Sequence, residues 1–147
     1  MSKRVFDVVV VGAGPSGLAC AIEAKKYELS CVVLEKGGIT NSILHFPTQI
    51  IFFTTPELLE IGNIPLVSER EKPSRNEALK YYRKVAGMYK LDVHQYEEVL
   101  RIERVEAHRF RINTTASVYE AHNVVLSIGH YDNPNWKLIR STIVTWL

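Results

Sequence analysis

Apolar and polar positions change period along this chain, and each change marks an element. Four consecutive β-branched residues, Val8 to Val11, run straight into glycine. So short an apolar run, bounded by glycine, predicts a parallel strand buried on both faces. The stretch behind Gly17 has helical spacing, with Gly17, Ala21 and Ala24 at i, i+4 and i+7 forming a small-residue stripe. Cys31-Val32-Val33-Leu34-Glu35 reads as a second strand, and Gly37-Gly38 breaks it. An irregular segment runs through Phe46-Pro47. Gln49 to Thr54 is β-branched and aromatic enough to predict a short strand, after which Pro56 opens a helical turn over Glu57 to Glu60. Ile61 to Val67 carries Gly62, Asn63 and Pro65 and reads as loop.

Ser74-Arg75-Asn76-Glu77 has the Ser-x-x-Glu spacing of a capping box, directly after Pro73. Helical apolar spacing follows through Ala78, Leu79, Tyr82, Val85, Ala86 and Tyr89, with Lys80, Arg83, Lys84 and Lys90 on a solvated back. This helix is expected to be the second crossover, and Leu91 to His94 the third parallel strand. From Val99 to Tyr119 the period becomes two: Leu100, Ile102, Phe110, Ile112 and Thr114 alternate with charged or polar neighbours. That predicts an antiparallel meander lying against the domain. Asn123 leads into Val124 to Gly129, a further strand expected to be buried on both faces and to return beside the first. The order predicts an α/β fold, a Rossmann-type domain with a parallel sheet and an inserted antiparallel meander.

The chemistry concentrates at the first turn. Gly12-Ala13-Gly14-Pro15-Ser16-Gly17 is a Gly-x-Gly-x-x-Gly pattern between a strand and a helix, and Glu35 lies 18 residues after Gly17. Gly12 permits the tight turn, Gly14 lets a pyrophosphate approach the backbone, and Gly17 allows close packing of the helix. Amide groups at the helix N-terminus favour an anion. A carboxylate at the tip of the second strand accepts ribose hydroxyls and repels a 2′-phosphate, so FAD or NAD fits and NADP does not. Strand, glycine loop, helix and distal acid together form a dinucleotide fingerprint.

Composition narrows the classes without adding a site. At 147 residues, 46% apolar and 23% charged, the chain has the make-up of a soluble globular domain. A net charge of +2 argues for neither nucleic acid nor an anionic membrane as partner. No apolar run approaches the ~18 residues of a span, and a cytoplasmic protein is expected. Cys20 and Cys31 are the only cysteines and are expected to be buried, inert thiols. His45, His94, His108, His122 and His130 show no metal-ligand spacing, so no metal is expected. Each reads as structural or surface, and His130, after Gly129 at a strand's C-terminal end, is the one whose position leaves a ligand contact open.

Several separated segments resemble one family. They are Val10 to Gly17, Leu34-Glu35-Lys36, Asn41-Ser42-Ile43, Phe52-Phe53-Thr54, Leu59 to Gly62, Arg75 to Arg83 and Gly129 to Asn135. Together these are similar to bacillithiol-disulfide-reductase-like flavoproteins, relatives of thioredoxin reductases and flavin-containing monooxygenases. The resemblance implies FAD, with Gly12, Ala13, Gly14, Pro15, Ser16 and Gly17 at the pyrophosphate and Glu35 and Lys36 at the adenosine ribose. It further implies Val99 beside the adenine, Ser127 and Gly129 along the cofactor, and Asn41, Ser42, Phe52 and Thr54 near the isoalloxazine. No residue is assigned a catalytic acid, base or nucleophile role. Relatives commonly carry Cys at the position of Ser16, so no thiol role carries over.

The pattern departs from the family near the C-terminus. Residues 1–136 read as a partial FAD-binding domain, incomplete at its C-terminal end, and 137–147 as a tail that does not match. A truncated or frameshifted product is expected there. The implied function is the FAD-binding part of an NAD(P)H-dependent oxidoreductase acting on a low-molecular-weight disulfide, with NADPH bound only in a full-length relative. Alternatives are a flavin monooxygenase fragment and a non-catalytic dinucleotide-binding fragment. With one glycine loop, this chain alone is expected not to turn over NADPH.

Overall fold

The computed structural model describes residues 5–130; the four N-terminal residues and residues 131–147, including the departure after position 136, lie outside the described residues. Six strands form one sheet in the order β3-β2-β1-β6-β5-β4. β1 (Val5–Val11), β2 (Cys31–Glu35), β3 (Val93–Gln95) and β6 (Val118–Leu126) pair in parallel, while β5 (Arg109–Thr114) runs antiparallel to both β6 and β4 (Val99–Glu106). Among the described residues three α-helices, α1 (Pro15–Lys26), α2 (Asn41–Leu44) and α3 (Arg75–Met88), and a 3-10 turn at Pro56–Leu58 lie between the strands.

The pleat of β1 sorts its valines between two cores. Val10, with Val33 of β2, faces Leu18, Ala21 and Ile22 of α1 and Tyr82 and Val85 of α3. Val9 and Val11, with Val32 and Leu34, face Phe6, Ile112 and Ala121. Strand β1 is therefore covered on both sides, as an unbroken valine run requires. Gly17, Ala21 and Ala24 are all buried, so the small-residue stripe is the packed face of α1.

The meander differs from a layer laid against the domain. It continues the same sheet through β6, which pairs parallel with β1 and antiparallel with β5, and its apolar face curls over the second core. A register shift between Val99 and Arg101 turns Leu100 out to solvent although its parity with Ile102 predicts the opposite.

Two other expectations are corrected. Gln49 to Thr54 forms no strand; it makes a single antiparallel bridge, Ile51 to Ser74, because the backbone beside it, Pro73 to Arg75, turns at once into α3. The last strand begins at Val118 rather than Val124, ends at Leu126, and is not buried on both faces. Leu126 and Ile128 are exposed where the chain borders a cleft.

Helix α3 carries the predicted capping box in full. Ser74 Oγ accepts from the Glu77 N–H, and the Ser74 N–H donates to Glu77 Oε2 at 2.7 Å. Two of its tyrosines and Tyr89 just after it hold the segment from Leu59 to Ile64: Tyr81 OH donates to the Ile64 carbonyl (2.7 Å), Tyr82 OH to that of Leu59 (2.9 Å) and Tyr89 OH to that of Gly62 (2.7 Å). Burial pushes the Tyr82 phenol up to about 12.

Candidate functional site

The C-terminal ends of β1, β2 and β6 open into a cleft of about 830 Å³, within the ~300–1,000 Å³ of small-molecule sites. Open parallel sheets bind ligands at this edge, where the strand order reverses across β1. Gly12 turns the chain off β1 with φ +103°, and a Cβ there would meet the Ser127 carbonyl oxygen at 2.4 Å. Its N–H donates to the Leu34 carbonyl at 2.8 Å, tying the turn to β2.

At the mouth of α1, Pro15 opens the helix and no side chain caps it. The first amide to find an acceptor is that of Leu18, on the Gly14 carbonyl at 2.9 Å; those of Ser16 and Gly17 lie ahead of it. A Cβ on Gly14 would meet nothing within 4 Å, so the space before the helix mouth is an open cradle that a side chain would enter. The residues present fit a pyrophosphate: free amides, a helix dipole and no side chain in the way.

Glu35 stands across from that cradle at the tip of β2. It is 6% exposed and borders the cleft. Its Oε2 accepts from the Ala13 N–H (2.7 Å) and its Oε1 from the Gly37 N–H (2.8 Å). A carboxylate has about four lone-pair positions, so acceptor capacity is left for two hydroxyls. The Ala13 carbonyl, in turn, accepts from the Thr40 N–H at 2.9 Å. Both backbone polar groups of Ala13 are thus committed inside the protein, where they hold the loop, α2 and β2 together.

Behind Glu35 lies a polar cluster that sequence patterning does not reveal. Glu97 is buried; its Oε1 accepts from Thr114 Oγ1 at 2.5 Å and its Oε2 from Tyr119 OH at 3.1 Å, with His94 Nδ1 also 3.1 Å away. Burial opposes its charge, but the hydrogen bonds from Thr114, His94 and Tyr119 outweigh that and hold the carboxyl below the usual range. Burial and the bond to Glu97 push the Tyr119 phenol up to about 12. The Glu97 N–H donates to the Glu35 carbonyl at 2.9 Å, so this cluster fixes the turn that presents Glu98 and Val99 to the cleft.

Of the residues expected at the site, Gly12, Gly14, Pro15, Ser16, Glu35, Lys36, Asn41, Ser42, Phe52, Val99, Ser127 and Gly129 border the cleft. Ala13 and Gly17 lie buried beneath it. Thr54 does not border it, and its Oγ1 is buried without a hydrogen-bond partner. His130 does border it. Cys20, expected to be buried, is exposed and faces the cleft one turn beyond Ser16; Cys31 is half-buried. Sequence reading also passed over Thr40, Glu98, Phe46, Leu126 and Ile128. Thr40 has φ +58° and is held by its fold contacts, a conformation that no local signal in Ile39-Thr40-Asn41 announces.

Among the described residues no helix is long and apolar enough to cross a membrane, and no three His, Cys, Asp or Glu side chains are arranged to hold a metal ion.

Residues 9–142 match the pyridine nucleotide-disulphide oxidoreductase family. The chain is 36% identical over 128 residues to bacilliredoxin reductase Bdr of Bacillus subtilis (strain 168), covering 87% of this chain and 40% of that protein. The solved bacillithiol disulfide reductase Bdr (YpdA) from Bacillus cereus superposes with a TM-score of 0.86 at 38% identity, covering 90% of this chain and 42% of that one. A flavin-containing monooxygenase from Stenotrophomonas maltophilia gives 0.78 at 25% identity, covering 85% and 38%. The chain thus spans about two-fifths of the length of these relatives.

Proposed function

The chain belongs to the pyridine nucleotide-disulphide oxidoreductase family, and from that premise we propose that it forms the FAD-binding portion of a flavoprotein that reduces a low-molecular-weight disulfide with NAD(P)H. The observation that carries the reading is the pairing of an open cradle at Gly14 with a buried, loop-anchored carboxylate at Glu35, both on one cleft. The amides of Ser16 and Gly17 would take the pyrophosphate, and Glu35 the adenosine ribose. Val99 would flank the adenine, with Lys36 beside the ribose. Ser127 and Gly129 would follow the cofactor toward Asn41, Ser42 and Phe52, with Thr54 set back from the cleft. Apolar walls from Leu34, Val125 and Ile128 would keep water from its length. Bound FAD would supply the redox chemistry, passing electrons from the nicotinamide to the disulfide. This chain's own residues bind and orient; no acid, base or nucleophile among them is assigned.

Identity of 36–38% to the two reductases supports a disulfide substrate over oxygen. The monooxygenase reading rests on the 25% likeness alone. Calorimetric titration of the chain with FAD, NAD and NADP tests the ribose assignment. FAD and NAD should bind more tightly than NADP, whose 2′-phosphate meets the Glu35 carboxylate. Equal affinity for NAD and NADP would overturn it.

A further inference from the structure

Two separate stretches of the cleft wall are fastened to one short segment, the first turn of α3. Helix α2, which carries Asn41 and Ser42 to the cleft, has only four residues and no side-chain cap at its N-terminus. A helix this short is not self-supporting. Its C-terminal carbonyls are met by one side chain: Arg75 Nε donates to the Ile43 carbonyl at 3.1 Å and Arg75 Nη2 donates to that of Leu44. The guanidinium also places a positive charge at the negative end of α2.

The second stretch is Ile50–Phe52. The Arg75 N–H donates to the Ile50 carbonyl (3.1 Å), the Phe52 N–H donates to the Pro73 carbonyl (2.9 Å), and Ile51 bridges Ser74. Phe52 lines the cleft and packs against Phe46 with ring centroids 6.3 Å apart. The support beneath is firm, because the Ser74–Glu77 capping box closes α3 and Ala78 and Leu79 are buried in the core. The opposite end of the cleft has its own anchors, the Ala13 and Gly37 amides on Glu35.

We propose that Arg75 is a positioning residue for the flavin end of the cleft: it fixes α2 and, through its backbone, the Phe52 segment, without touching the cofactor. The inference rests on the FAD reading above and adds a division of labour to it, with the adenosine end anchored independently of Arg75.

The test compares Arg75→Ala and Arg75→Lys with the unaltered chain, using FAD and ADP as ligands. Arg75→Ala should weaken FAD by about tenfold, the scale of losing two hydrogen bonds from a charged group, while ADP affinity stays unchanged. Arg75→Lys should fall between, because a lysine lacks the planar fork that reaches two carbonyls at once. In the ligand-free chain, amide hydrogen exchange of His45 and Phe46 should quicken in Arg75→Ala while that of Val9 to Val11 holds. Unchanged FAD affinity in Arg75→Ala would overturn the proposal, and so would an equal loss for FAD and ADP accompanied by faster exchange throughout. An unaltered chain that binds ADP but not FAD would also overturn it, whereas one that binds neither overturns the FAD reading itself.

Discussion

A Cβ on Gly17 would stand 1.9 Å from the Gly12 carbonyl oxygen, whereas one on Gly14 would stand in open space. The two glycines therefore serve different ends: Gly17 lets α1 close on the turn after β1, and Gly14 keeps the cradle empty. Their spacing was legible in the sequence because each demand excludes every other residue type. Glu35 was legible for its place at the strand tip, but not for its bonds to the Ala13 and Gly37 amides. Those bonds mean that Glu35→Arg would disturb the loop as well as ribose selectivity, and Glu35→Gln would keep one acceptor but turn an NH2 donor toward the other backbone N–H. The exposure of Cys20 was not legible because it sits at the flank of the buried stripe of α1, where composition carries no directional signal. Burial and the nearby Asp92 carboxylate push the Cys31 thiol up to about 11, which leaves it protonated at pH 8. Iodoacetamide at pH 8 should therefore modify Cys20 first, and FAD should protect it. Mass spectrometry of the alkylated chain checks this; faster labelling of Cys31, or no protection by FAD, counts against the placement.

At the scale of elements, α3 is the best-specified helix in the sequence, since cap, period and polar back all agree. Hydrogen bonds from Ser74 and from the Glu69 and Ser74 amides hold the Glu77 carboxyl at about 2, below its ordinary 4.5. A carboxyl whose pKa is depressed on folding contributes stability that is present above its unfolded value and is lost as pH falls through the folded one. The stability advantage of the unaltered chain over Glu77→Gln should thus be constant at neutral pH and shrink from about pH 4.5 toward pH 2. Urea denaturation at several pH values measures it; an advantage that does not change with pH would remove the cap from the account. Ser74→Ala should cost about 1 kcal/mol in the same assay. The Gln49–Thr54 segment was less legible. Its propensities suit a strand, but no second strand lies beside it, and the single bridge to Ser74 is a tertiary accident of where α3 begins. Likewise the bulge at Leu100 breaks parity without a glycine or proline to mark it.

For the whole molecule, the sheet order β3-β2-β1-β6-β5-β4 brings the glycine loop, Glu35 and Ser127 to one edge from three distant parts of the chain. The valine run forecast both-faces burial, and the two cores supply it. What patterning could not forecast is that the meander stays hydrogen-bonded to the parallel strands through β6 while covering their second face. Nor does the apolar run from Val124 reveal that Leu126 and Ile128 line a cleft, because a pocket wall and a core wall are equally apolar. The central claim is that this cleft takes FAD with its pyrophosphate at Gly14. Titrating FAD calorimetrically into the unaltered chain and into Gly14→Val, with circular dichroism on both, tests it most directly. One FAD should bind per unaltered chain and none per Gly14→Val, with matching dichroism, since the added side chain occupies only the cradle. Undiminished FAD binding by a folded Gly14→Val chain would contradict it.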